Sequence, residues 1–127
     1  MKSRTWISAC VIRNDDEQFA RHGWSRHEDD MTVDSEIIFA VAEATSSDPA
    51  ALEQLHGAMA AAWVDERDPD VLVVARGVGR PLWLGVGRHE IFFASTRSTL
   101  ELVERALRTS VRMRELAEGR LLRLVDG

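Results

Sequence analysis

The chain has 127 residues, of which 45% are apolar and 29% charged, and a formal net charge of −5. That balance is ordinary for a soluble globular protein, and the length suits one domain, 1–127, burying roughly two-thirds of its unfolded surface. The lone cysteine, Cys10, excludes an internal disulfide framework and fits a reducing cytosol; no apolar run is long enough to cross a bilayer, and no secretory leader is expected.

Thr5 to Ile12 is rich in β-formers and predicts a strand. Asn14-Asp15-Asp16 reads as a turn or helix cap, and Glu17 to His22 as a short helix ending at Gly23. A charged loop, His27 to Met31, leads to a helix from about Asp34 to Ala44 with Ile37, Ile38, Val41 and Ala42 on one face. Asp48 and Pro49 supply an N-cap and a first helical residue, starting a helix expected to bury Leu52, Leu55 and Met59. Strands then dominate: Ala60 to Asp65 and Val71 to Arg76 around a turn, Leu82 to Val86, and Glu90 to Ala94. A helix from about Ser98 to Arg108 carries Leu100, Val103 and Leu107 on one stripe, with Glu101/Arg105 and Glu104/Arg108 as supporting pairs. Arg112 to Leu116 and Arg120 to Val125 close the chain as a hairpin around Glu118-Gly119. Strands and helices are segregated, which argues an α+β layered fold, mostly antiparallel sheets with packed helices.

Charge is uneven: residues 1–75 hold six Lys/Arg against fifteen Asp/Glu, and residues 76–127 hold ten Arg against six Asp/Glu. Acidic residues interrupt the Arg series throughout, so solvated or mutually facing surfaces are expected rather than a nucleic-acid footprint. His22, His27, His56 and His89 share no metal-ligand spacing, and no metal or cofactor is expected. Gly77-Val78-Gly79 and Gly85-Val86-Gly87 open no helix and read as turns rather than phosphate loops. Trp6, Trp63 and Trp83 fall in strands and are expected to pack the core.

Several stretches carry a family resemblance. They are Thr32-Val33-Asp34-Ser35-Glu36 before an apolar helix, Leu55 to Ala60, Asp70 to Arg76 with Arg80 to Gly85, Ile91 to Ser95, and Ala117-Glu118-Gly119. In order and spacing they resemble the glutaminase domain of glucosamine-6-phosphate synthases, a class II glutamine amidotransferase of the N-terminal-nucleophile (Ntn) hydrolase kind. The resemblance covers roughly nine-tenths of the chain, from Trp6 onward, and corresponds to the second half of such a domain. It implies a partial Ntn-hydrolase-like αββα sandwich.

The resemblance also places a site. The family's aspartate that holds the α-amino group of glutamine falls on Asp34; the competing expectation is that Asp34 merely caps its helix. The family's oxyanion pair, Asn-Gly, falls on Ala9 and Cys10, and its later Asn on Asn14. Ala9 supplies no side-chain donor, and Cys10 adds a Cβ where glycine is used; an oxyanion donor is worth on the order of 10²–10³ in rate. Members begin with the catalytic cysteine, whereas this sequence starts Met1-Lys2-Ser3-Arg4, so its nucleophile and the carboxylate-binding Arg are expected to be absent. Cys10 is expected to be a small buried strand residue rather than a nucleophile exposed by processing.

Two functions are therefore expected. One is a degenerate domain, non-catalytic alone, which acts through self-association or a protein partner along open sheet edges, with glutamine a possible ligand. The other is a glutaminase subunit completed in trans by a chain carrying the nucleophile. Neither nucleic acid nor a membrane is an expected partner.

Overall fold

A computed structural model describes residues 5–27 and 33–125, with backbone alone at Thr5 and Trp6. The elements are β1 (Thr5–Ile12), α1 (Asp15–His22), α2 (Glu36–Thr45), α3 (Pro49–Leu52), β2 (Gly57–Asp65), β3 (Asp68–Arg76), β4 (Trp83–Val86), β5 (Ile91–Ala94), α4 (Arg97–Leu107), β6 (Arg112–Glu115) and β7 (Arg120–Val125). Four layers result. Helices α1–α3 cover a four-stranded sheet of order β1-β2-β3-β7, a three-stranded sheet of order β5-β4-β6 covers its other face, and α4 closes the far side. All named pairings are antiparallel. The αββα sandwich expected from the sequence is the fold observed.

The alternation of β2 explains the layering. Side chains on a strand point to opposite faces in turn. Met59, Ala61 and Trp63 join Ile12, Phe19, Ile37, Ile38 and Val73 beneath the helices. Ala60 and Ala62 join Val74, Leu82, Leu84 and Leu116 between the sheets. Residues 59 to 63 are therefore buried on both faces. Alanines keep the strand thin enough for two layers to close on it, while Trp63 fills the helix side and donates its indole N–H to Ser47 Oγ at 3.1 Å.

The local signals are physical. Acidic residues open α1, basic ones close it, and Gly23 at φ +66° ends it. Asp48 accepts from Ala50 N at 3.0 Å and Pro49 begins α3. On the far sheet, Gly85 faces α4: a Cβ there would lie 3.1 Å from Val111 and 3.4 Å from Leu100, so the glycine admits the buried Leu100.

Several expectations are corrected. The helix after Pro49 is one turn long; Leu55 lies beyond it and Met59 belongs to β2, because Gly57 and the apolar run after it join the sheet. The final two strands form no hairpin: β6 pairs β4 and β7 pairs β3, so the chain crosses between sheets at Leu116–Gly119, as it does between β3 and β4. Arg76 ties both crossings. Its Nε donates to Arg80 O at 2.9 Å, and its Nη1 donates to Glu115 Oε1 at 2.9 Å and to Leu116 O. On α4 the ion pair is Arg97–Glu101, and Glu104 accepts from Val111 N at 2.8 Å; Leu107, expected on the buried stripe, is 61% exposed. Trp63 is core and Trp83 half-buried; the side chain of Trp6 and residues 28–31 of the charged loop lie outside the described residues.

One glycine holds the β1–β2 register. Gly57 has φ +143°, and a Cβ on it would lie 1.9 Å from the carbonyl oxygen of Val11. Gly57→Ala should therefore cost about 2 kcal/mol or more, read as a fall in Tm on the order of 8 °C in a thermal melt.

Candidate functional site

The four resembling positions gather around the C-terminal half of β1. Period-two alternation puts Ser8, Cys10 and Ile12 on the helix side, and Ile7, Ala9 and Val11 on the side of the second sheet. β1 is an edge strand, with β2 on one side and, among the described residues, no strand on the other.

Asp34 stands beside that open edge. Its Oδ2 accepts the backbone N–H of Ile12 at 2.8 Å, and its Oδ1 takes no hydrogen bond among the described residues. The N-cap of α2 is Ser35, whose side chain makes no cap bond. Asp34 thus seals the last outward N–H of β1 and presents one carboxylate oxygen beside it, a geometry suited to an ammonium or amide donor.

Asn14 is a structural weld. It is buried, its Nδ2 donates to Gln54 O at 2.9 Å, and its Oδ1 accepts from His56 N at 2.8 Å. Arg13 N donates to His56 O at 2.8 Å alongside. Together these bonds fasten the end of β1 to the connection between α3 and β2. The amide satisfies backbone groups in a loop that has no ladder to do it.

Ala9 is exposed and brings only a methyl group. Cys10 is half-buried, with Sγ 4.0 Å from Ala60 O. Burial raises the pKa of its thiol, and the negative charge of Asp34 adds to this; the hydrogen bond from the Ser8 side chain, the Ala60 backbone and the charge of Arg80 only partly oppose it. A thiol held neutral is a poor nucleophile.

Two participants escaped sequence reasoning. Ser8 was findable, because period two puts it on the face of Cys10. Arg80 was not, because it reaches the site through the crossing between sheets. A cavity of about 290 Å³ lies at the same end of the sheet, bounded by Ile12, Leu52, Leu55, Met59, Arg120 and Leu121, but Ala9, Cys10 and Asp34 do not line it. Among the described residues no group of three His, Cys, Asp or Glu side chains gathers to hold a metal, and no helix is long and apolar enough to cross a membrane.

The raised Cys10 pKa has a consequence for stability. Unfolding returns the thiol to its ordinary, lower pKa, so above that pKa the unfolded state holds fewer protons than the folded one and stability falls as pH rises. Denaturant melts across the alkaline range should show this decline in the native chain and a shallower one in Cys10→Ala.

Comparison with known proteins follows this geometry. No curated protein matches the chain. Among solved structures it is similar to the glutamine phosphoribosylpyrophosphate (PRPP) amidotransferase from B. subtilis complexed with ADP and GMP. The TM-score is 0.76 at 17% identity, over 97% of this chain and 27% of that one. It is similar to the same degree, TM-score 0.76 and 17% identity, to a structure described as the allosteric regulatory enzyme of purine biosynthesis, over 97% of this chain and 26% of that one. The chain thus spans about a quarter of the length of each, and the likeness is one of fold. The sequence decides the family: residues 2–102 match the glutamine amidotransferase domain model, and the chain belongs to that family.

Proposed function

We propose that residues 1–127 form a glutamine amidotransferase-like unit that releases no ammonia by itself and acts through association along the outer edge of β1. The observation that carries this reading is the state of that edge. Its resembling positions have become structural: Asn14 is engaged at both ends of its amide, Ala9 lacks a donor, and Cys10 is a half-buried neutral thiol. Among the described residues no strand pairs with the outer side of β1, and its exposed face is apolar, with Ile7 63% and Val11 45% exposed. Edges of this kind are normally covered or charged. The free thiol of Cys10 suits a reducing, cytosolic setting. The stretches resembling glucosamine-6-phosphate synthases favour that branch of the family over the phosphoribosyl one.

A second reading rests on Asp34. Its open Oδ1 beside β1 is where the α-ammonium of glutamine would sit if another segment brought the nucleophile and completed a glutaminase in trans.

Incubating purified residues 1–127 with glutamine and measuring ammonia tests both. No release is expected from the chain alone, and release would end the first reading. Activity that appears only on mixing with a chain bearing an N-terminal cysteine would favour the second. In that mixture Asp34→Ala should reduce activity by about tenfold or more, since a charge-assisted bond of ~1.5–3 kcal/mol is lost. Undiminished activity would remove Asp34 from the site.

A further inference from the structure

Helix α1 is followed by a short strap, residues 23–27, that turns back along it. Gly23 ends the helix at φ +66°, Trp24 N donates to Phe19 O at 3.0 Å, and the Trp24 ring stacks on His22 with centroids 4.3 Å apart. Two residues on, the side chain of Arg26 reaches the start of α1. Its Nη2 donates to Asp15 Oδ2 at 2.8 Å and to Asp16 Oδ1, and its guanidinium carbon stands 4.5 Å from the ring centroid of the buried Phe19. The side chain is 12% exposed and that of Asp15 15%. Two carboxylates and a ring face hold the planar guanidinium in one orientation.

In that orientation the remaining arm meets the start of α2. Arg26 Nη1 donates to Val33 O at 3.4 Å, and His27 N donates to Glu36 Oε1. Val33 O also accepts from Glu36 N at 3.1 Å, in the turn that opens α2. Arg26 and His27 therefore bridge the first turns of α1 and α2. Asp34 lies between the two attachments on the α2 side, and Ile12, whose N–H it accepts, lies three residues before Asp15. The bridge and the Asp34–Ile12 bond thus fasten the same two helix starts to the end of β1.

We propose that Arg26 is a positioning residue for Asp34: it ties the first turn of α1 to the carbonyl of Val33 and so holds the Asp34 carboxylate at the end of β1 with one oxygen open to an ammonium. The inference rests on the second reading above, in which Asp34 seats the α-ammonium of glutamine. An arginine close to a carboxylate ordinarily pairs with it, and that pairing would fill the oxygen a ligand needs. Here Asp15 and Asp16 occupy the guanidinium, and among the described residues Arg26 makes no bond to Asp34. It reaches Asp34 only through the neighbouring backbone, which orients the carboxylate without neutralising it. The two acids also outweigh the one guanidinium, so the charge beside Asp34 still favours a cation. A lysine could pair with the acids, but it has no rigid second arm for Val33 O.

Amide hydrogen exchange at Ile12 reads the Asp34 bond, and Asp34→Ala sets the rate for its loss. Arg26→Gln should speed exchange at Ile12 by about tenfold or more, toward the Asp34→Ala rate, while the amides of β4 keep their native rates. Arg26→Lys should keep a near-native Tm yet leave Ile12 exchanging fast. Native protection of Ile12 in Arg26→Gln overturns the proposal, as does full protection in Arg26→Lys. So does a rise in exchange shared equally by Ile12 and β4, which would make Arg26 merely structural. In the mixture with a chain bearing an N-terminal cysteine, Arg26→Gln should raise KM for glutamine about tenfold and leave kcat unchanged. An inactive mixture ends the second reading, while exchange at Ile12 still decides whether Arg26 sets Asp34. An active mixture whose KM is indifferent to Arg26→Gln overturns the role of Arg26 and leaves that reading standing.

Discussion

Burial of one sheet on both faces is the constraint from which the architecture follows. A sheet flanked by helices on one side and a second sheet on the other must present apolar side chains in both directions. It must also stay thin where the layers close. β2 meets both demands with Met59, Ala61 and Trp63 toward the helices and Ala60 and Ala62 toward the second sheet. Joining two stacked sheets then requires the chain to cross between them twice. Those crossings carry backbone groups with no ladder partner, which is why a half-buried arginine is needed there. Arg76 supplies donors to carbonyls on both crossings, Arg80 O and Leu116 O, and to the Glu115 carboxylate.

The mismatch in width between the sheets creates the region of functional interest. Four strands face three, and β1 lies at the edge of the wider sheet, where Ile7, Ala9 and Val11 are all exposed. Asp34 compensates for only part of that edge by accepting from Ile12 N. A carboxylate is a suitable terminator for a strand edge, since it accepts the last N–H and repels the carbonyl of an incoming strand. Position 34 thus joins two roles in one side chain: it fixes the start of α2 against β1, and it offers a charged oxygen at the boundary of the free edge.

The elements were legible in the sequence because their signals are local. The run of β-formers marks the end of β1 at Ile12, and Asp48-Pro49 marks the start of α3. Sheet assignment was not legible. Arg112 to Leu116 and Arg120 to Val125 flank a Glu-Gly turn that reads as a hairpin, yet the strands belong to different sheets, and only the partners they meet after folding decide this. For the same reason Glu101 and Glu104 take Arg97 and the Val111 N–H instead of the arginines four residues on. The position of Asp34 came from resemblance. Its bond to Ile12, 22 residues away, depends on the fold bringing α2 beside β1; Asn14 is the N-cap residue of α1, as its sequence suggests, but its side chain spends its bonds on Gln54 and His56, which only the fold brings near.

A strand edge and a substrate site compete for the same groups. Outward amides that would steady a developing negative charge beside β1 are the ones an incoming strand would bind, and Cys10 lies within that row. Glycine in place of Cys10 would leave the amide approachable and the strand a weak pairing edge, because glycine lowers strand propensity and adds no cross-strand contact. A side chain at that position reverses both effects: it crowds a small ligand and stiffens the strand. Ala9 acts in the same direction, since it offers no polar donor and adds a methyl group to the exposed apolar strip of Ile7 and Val11. Asp34 bounds that row of amides, because its Oδ2 already holds the Ile12 N–H.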